Sequence, residues 1–494
     1  MAGWQLTIAV DRQKGMPLFR QIARAISDDI RRGRLRSGDR LPGTRTLARS
    51  LGVQRLTVVA AFDELAAEGW ITTRPARGAF VSADIPEPAR PRRLAGAIER
   101  RGVPRRLRFD LAPAPPLVMP YDVPKNGLLF APSRPDVRLI PGDLLGRAYR
   151  RAIRSGDGVL LDYGRPYGHQ RLRAAIAGML TATRGLSASA DDICITRGSQ
   201  MGLALLARAV VRPGDLVAVE ELSHPPGVEA FRIAGAGIVP IPLDGDGLVI
   251  EALEKAARTG RLRAAYITPH HQFPTTAVLS AARRLRLLEL ARTHRFAVIE
   301  EDCDHEFQYE GWPVLPLASS DSSGVVAYVG TFSKVLAPGL RIGYVVAPPP
   351  LLASVAAHRL HTDIQGDRVL EYALATLLEQ GEVQRHVRRV RREYQARRDV
   401  LVKALRTMVG DALTFAVPPG GIGLWVRAAE DVDIDAWAAR ARGRGVVMAT
   451  ARMFACDGLS RPFARLGFAS LNRDELVEGV RRLASARPRQ RSLA

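Results

Sequence analysis

Residues 330–344 read GTFSKVLAPGLRIGY, and Lys334 stands out in a chain with five lysines against 67 arginines. An arginine would have supplied a positive charge. A lysine supplies an amine that can lose its proton and attack a carbonyl carbon, which a guanidinium cannot do. Other polar residues gather where strand-like runs end. After DICIT come Gly198, Ser199 and Gln200, which open a helical stretch and offer backbone N–H groups and a hydroxyl to a phosphate. AAYITP leads to His270, His271 and Gln272, of which the two histidines read most simply as polar loop residues. FAVIEEDCD closes on Glu300, Glu301, Asp302 and Asp304. VVAYVGT is followed by Thr331, Ser333 and Lys334, with Arg341 seven residues beyond the lysine.

In an open parallel sheet, ligands bind beyond the carboxyl ends of the strands. Phosphate donors, an acidic cluster, one lysine and one arginine therefore converge on one rim. That set suits pyridoxal 5′-phosphate: a lysine for the Schiff base, an acid for the pyridine nitrogen, and hydroxyls, amides and arginine for the phosphate. Each part alone is weak, because Ser-Lys pairs and Gly-Ser helix starts are common; the combination in this order is specific.

These side chains need a frame. From about residue 120, strand-like runs (DICIT, LVAVEE, AGIVPIPL, AAYITP, FAVIEED, VVAYVGT, RIGYVVA) alternate with amphipathic stretches such as AARRLRLLELARTH. That alternation predicts a mostly parallel sheet covered by helices. After about residue 350 the text turns helical, and it closes on a small α+β tail (GGIGLWVRAA, GVVMATARMF, RLGFASL).

The first 82 residues are organised differently. Leu18, Ile22, Ile26 and Ile30 recur every four residues, one apolar stripe of a helix. Leu47 and Leu51 mark a short second helix that stops at Gly52, and Val58, Phe62 and Leu65 mark a third that ends at Gly69. WITTRPARGAFV then reads as two strands around a turn. Three helices and a hairpin make a winged helix-turn-helix, whose third helix enters the major groove of double-stranded DNA. Gln54, Arg55 and Thr57 are placed for base edges, and Arg45, Arg74, Arg77 and Gly78 for the phosphate backbone. The charge agrees. The whole chain is formally +22, and residues 1–110 hold 22 basic and 11 acidic residues, half of that excess in about a fifth of the length. Between the two regions, residues 83–118 repeat Pro and Arg without apolar periodicity and read as a linker.

The composition also excludes. No apolar run approaches the roughly 20 residues of a membrane span, and MAGWQLTIAVDRQKG lacks the order of a signal peptide. Cys194, Cys303 and Cys456 are too few and too far apart for a disulfide framework or a zinc cluster, and no metal site is expected. The expected compartment is the cytoplasm, with no membrane partner.

At this point the chain resembles a known family. Residues 12–82 look like the GntR-type winged helix, and residues 119–486 look like a fold-type I aminotransferase. The fusion resembles the MocR group of bacterial transcriptional regulators. The motifs that carry the likeness are LPGTRTLARSLGVQRLTVVAAFDEL, YGRPYGHQRLRAAIAGML, TPHHQFPTT, VIEEDCDHEFQYEG and GTFSKVLAPGLRIGY. The resemblance implies an internal aldimine on Lys334 and a phosphate held by Arg341, Ser333, Thr331, Gly198 and Ser199, with Gln200 and Gln272 also lining the cofactor site. It places Arg465 where aminotransferases bind a substrate carboxylate. It implies a domain-swapped, head-to-tail homodimer, and a regulator, not an enzyme, that senses pyridoxal phosphate or a small amino compound through an aldimine.

The departures are as informative. Where the family has Asp-Asp-Tyr-Asp this chain has Glu301-Asp302-Cys303-Asp304, so the pyridine partner becomes Glu301, one methylene longer, with Asp302 beside it as a possible substitute. The tyrosine at the cofactor's phenolic oxygen becomes Cys303, and the ring-stacking aromatic becomes His224. Two other functions stay open on the residues alone: a working aminotransferase with a DNA-binding appendage, and a regulator whose sensor domain no longer holds the cofactor.

Overall fold

Ile22, Ile26 and Ile30 fall on one face of a helix that spans Leu18–Arg31 (α1) and are all buried. That face packs on Leu47 and Ala48 of Thr44–Leu51 (α2) and on Val58, Ala61, Phe62 and Leu65 of Arg55–Ala67 (α3). α2 ends on Gly52, whose φ of +61° is the left-handed conformation that lets the chain turn sharply into α3. Ile71–Arg74 and Gly78–Val81 pair antiparallel as the wing. Ile71, Ala79 and Val81 point into the same core.

The coordinates are a computed structural model. It describes residues 16–74, 77–85, 122–155, 158–312 and 314–488, with residues 8, 10, 11, 110, 111, 114 and 115. The chain divides into two compact units, Met1–Ala112 and Pro113–Ala494. The linker expected over 83–118 lies largely outside the described residues, as do Pro75 and Ala76 of the wing turn.

In the second unit the seven strand-like runs form one sheet. Its spatial order is Ile193–Thr196, Gly343–Val346, Val326–Thr331, Ala297–Asp302, Leu262–Ile267, Leu216–Glu220, Gly237–Ile241. Five neighbours from Val326–Thr331 to Gly237–Ile241 run parallel. Gly343–Val346 runs against both of its neighbours. Apolar clusters lie on the sheet's faces, one around Leu203, Phe231 and Tyr266, the other around Leu253, Leu287 and Leu290. The 27-residue helix Glu382–Met408 leads into a four-stranded antiparallel sheet of Leu413–Thr414, Gly423–Ala428, Phe463–Gly467 and Ala449–Thr450. Helix Arg473–Ser485 and the buried Trp437 complete the core of that part. Among the described residues no helix is long and apolar enough to cross a membrane.

Candidate cofactor site and nucleic-acid interface

The reversed strand explains how distant residues meet. Thr331 pairs with Gly343, and Gly343 pairs with Thr196. The N-terminal end of Gly343–Val346 thus lies beside the C-terminal ends of two neighbours. Arg341 is thereby brought to Gly198 and Ser199, which follow Thr196 at the start of helix Ser199–Val210. A Cβ on Gly343 would sit 2.6 Å from the Gly198 carbonyl carbon, so only glycine lets these segments touch. Gly198 has φ +76°, and a Cβ there would lie 2.6 Å from an Arg341 nitrogen. The Arg341 guanidinium donates to the Arg197 carbonyl at 3.0 Å. Across this cradle Thr331 Oγ1 and Ser333 Oγ are 2.9 Å apart, and the Ser333 N–H donates to Thr331 Oγ1 at 3.1 Å.

Lys334 follows directly. Its amine donates to the Ser133 carbonyl. Loss of solvent pulls its pKa below the ordinary lysine value, against the opposing pull of Cys303, Glu301 and Asp304. A larger share of the amine is therefore unprotonated than in water, as a nucleophile requires.

Strand Ala297–Asp302 supplies the acidic wall, and its period of two sorts the carboxylates. Glu301 faces the lysine side, where it accepts from the Tyr266 hydroxyl and, at 3.2 Å, from the Cys303 thiol. Asp302 is on the opposite face. It accepts from the Tyr328 hydroxyl at 2.7 Å and lies 3.5 Å from Arg184 and 3.4 Å from His305. Burial works against its charge, yet His305 and Arg184 hold it well below the usual carboxylate range. The structure thus separates two residues that the sequence had set side by side: Glu301 and Cys303 are with Lys334, and Asp302 is not.

His224 caps helix Pro225–Ile233 and meets Phe273 edge-on at 5.9 Å. Desolvation lowers its pKa, so the ring is neutral at pH 7; Glu301 and Lys334 are the charges it feels. Its Nδ1 has no partner among the described residues, nor has Oε1 of Gln200, whose amide donates to the Pro226 carbonyl at 2.6 Å. Gln272 is turned to the protein: it donates to Glu220 at 3.1 Å and to the Leu222 carbonyl at 2.8 Å, and accepts from the Thr275 hydroxyl at 2.6 Å. Arg465 is buried on strand Phe463–Gly467. It donates to the carbonyls of Pro132 at 2.8 Å and Pro274 at 2.5 Å and lies over the Phe273 ring.

Two findings lay beyond the sequence reading. Tyr266, inside an apolar strand, reaches Glu301; only its hydroxyl distinguished it from a core aromatic. His270 and His271 are buried, not looped into solvent: His271 pairs with Asp304 at 3.1 Å, which with Gln308 overcomes burial and raises its pKa, while burial takes His270 down to about 3. Among the described residues no group of His, Cys, Asp or Glu is arranged to hold a metal ion.

The donor set fits a phosphate-bearing aldehyde with a pyridine ring. The fit rests on a glycine cradle that a Cβ would fill, two hydroxyls and a guanidinium around it, a lysine of lowered pKa, and a carboxylate on the same face.

In the first unit, Arg45, Gln54, Arg55, Arg74, Arg77 and Gly78 are exposed and Thr57 is half-buried. Gln54 caps α3, so Arg55 and Thr57 lie in its first turn. Arg55 donates weakly to the Thr44 hydroxyl at 3.4 Å, and Arg74 stacks over Phe80 of the wing. The structure adds Leu56, 74% exposed in that first turn, and Arg40, whose guanidinium lies beside Gly78.

Residues 18–81 match the bacterial regulatory proteins of the gntR family, and residues 141–483 match aminotransferase class I and II. The chain is 32% identical over 486 residues to the probable rhizopine catabolism regulatory protein MocR of Rhizobium meliloti, covering 97% of this chain and 95% of that one. It is 31% identical to the HTH-type transcriptional regulator TauR of Rhodobacter capsulatus, covering 95% of this chain and 96% of that one. Among solved structures, the Pyrococcus horikoshii kynurenine aminotransferase, in complex with PMP, superposes with a TM-score of 0.69 at 29% identity, covering 74% of this chain and 91% of that one. The chain belongs to the MocR-type transcriptional regulators, a gntR-family helix-turn-helix fused to a fold-type I aminotransferase domain.

Proposed function

We propose that this regulator binds double-stranded promoter DNA through its winged helix and holds pyridoxal 5′-phosphate on Lys334, so that a small amino compound, or the cofactor itself, sets its activity. The observation that carries this reading is the meeting of Lys334, Arg341 and the Gly198 cradle across the ends of three strands. When bound, pyridoxal phosphate supplies an electrophilic aldehyde carbon that condenses with primary amines. Lys334 offers the amine for it. Ser199, Thr331, Ser333 and Arg341 would hold the phosphate, Glu301 would serve the pyridine nitrogen, His224 would cover the ring, and Arg465 would receive an effector carboxylate. An effector shifts the regulator only through a difference in affinity between two conformations.

The acting form is a cytoplasmic homodimer. Val159, Leu161 and Tyr163 are exposed, and Leu360 and Ile364 add apolar surface from a neighbouring segment. Arg368 donates to the carbonyls of Val159, Asp162 and Tyr163, which ties the two segments together. An apolar surface of this kind calls for a partner, and a second copy also suits paired half-sites on DNA. Slow transamination is the second reading, favoured by the retention of both Lys334 and Arg465 and opposed by Cys303 in place of a phenol.

The test is the visible spectrum of the full chain with added pyridoxal phosphate, before and after borohydride. The expected result is an absorption band that reduction traps and that Lys334→Ala abolishes while the fold persists. A normally folded protein with no such band sinks the reading.

A further inference from the structure

The chain's departure from an aspartate to Glu301 raises a problem that Tyr266 answers. A glutamate has one more rotatable bond than an aspartate, and a carboxylate that wanders cannot hold charge at one point. Here both of its oxygens are fixed. In the parallel pair of strands Leu262–Ile267 and Ala297–Asp302, Tyr266 stands opposite Ile299. Glu301 is two residues further on the same face, roughly 7 Å along the strand, about the length of a phenol side chain. The Tyr266 hydroxyl donates to Oε2 of Glu301, and the Cys303 thiol donates to Oε1 at 3.2 Å. Tyr266 itself is fully buried and packs on Phe231 at 5.5 Å. A Cβ on Gly227 would lie 2.4 Å from the Tyr266 hydroxyl, so that glycine makes the room the phenol occupies. Burial first, then the nearby Glu301 carboxylate, push the pKa values of Tyr266 and Cys303 well up, so both stay protonated and both act as donors at neutral pH.

We propose that Tyr266 is the positioning residue of the cofactor site: it anchors the longer Glu301 side chain so that the carboxylate is presented to the pyridine nitrogen. The inference rests on the reading that the pocket binds pyridoxal phosphate. Tyr266 acts through Glu301 and need not touch the cofactor.

A double-mutant cycle on the full chain tests it, read by the dissociation constant for pyridoxal phosphate and by the pH dependence of the visible band. Tyr266→Phe keeps the ring and its packing and removes only the donor. Loss of one hydrogen bond to a charged group predicts a weakening of about tenfold or more, with a shifted pH profile of the band, which a purely structural role would not move. In a Glu301→Gln background the same change should cost less than about twofold, because the charge it positions is gone. Equal losses in both backgrounds, or wild-type affinity and pH profile in Tyr266→Phe, overturn the proposal and leave cofactor binding standing. Absence of a Lys334-dependent band in the wild type overturns the underlying reading, and the proposal with it.

Discussion

Glu220 ends its strand with one carboxylate oxygen accepting from the N–H and hydroxyl of Thr268 and from Gln272. Burial outweighs those donors and raises its pKa to about 7 from an ordinary 4.5. A carboxyl raised in the folded state favours folding fully below its unfolded pKa, and that contribution is lost as pH rises through the folded value. Between about pH 4.5 and 7 the contribution of this group is therefore lost, on the order of 3 kcal/mol at 1.36 kcal/mol per unit, while the buried neutral His270 works in the opposite sense over the same window. Measured against the wild type, Glu220→Gln should gain in melting temperature as pH rises over that window; Glu300, also raised to about 7, keeps its own share. An unchanged slope in the variant would place the titration elsewhere. At this scale the sequence exposed what chemistry makes scarce. Lys334 stood out because the chain almost never uses lysine, and Arg341 and Gly198 because the proposed phosphate site calls for them. Tyr266 was not, since a phenol inside an apolar strand looks like packing until its neighbour is known. Glu301 and Asp302 could be told apart only by which face of the strand each one takes.

Helices and strands were legible from their periodicities. The four-residue apolar spacing of α1 and the punctuation by Gly52 and Gly69 correspond to the observed elements, and all seven quoted strand runs join one sheet. The direction of Gly343–Val346 was not legible, because an apolar run of four buried residues is the same pattern in a parallel or an antiparallel strand. Direction is decided by the neighbours it bonds, and here it carries Arg341 to Gly198 at the start of helix Ser199–Val210. For α3 the element-scale consequence is specificity. Its first turn presents Arg55 beside the exposed Leu56, with only a weak contact to Thr44 to break among the described residues. Arg55→Ala should weaken binding to the cognate promoter by about 1–3 kcal/mol if Arg55 reads a base edge. Binding to unrelated DNA of equal length should change little. Equal weakening on both, with a smaller salt dependence, would assign Arg55 to the phosphates alone.

The whole molecule joins a strongly basic helix-turn-helix unit to an aminotransferase-like unit about three-quarters of the chain long, with +22 overall. Charge of that sign supplies affinity for any duplex, and it does so without sequence information. In the proposed homodimer, selectivity would come from engaging two half-sites at once, since linking two modules turns the second contact into an intramolecular event. For that proposed dimer the candidate interface is the surface around Leu161, 72% exposed, and Tyr163, 78% exposed. Leu161→Glu puts a charge where an interface would have to bury it, and in the free monomer that side chain stands in water, so the fold itself should be unaffected. The expected outcome is a shift from dimer to monomer in sedimentation at micromolar concentration. Affinity for a promoter with paired half-sites should fall by about a hundredfold, within the range that avidity contributes, while affinity for a single half-site stays put. A variant that sediments as a dimer and binds both DNAs normally would show that this surface is not where the copies meet. Loss of dimerisation without loss of paired-site affinity would separate assembly from DNA recognition and remove the reason for coupling them.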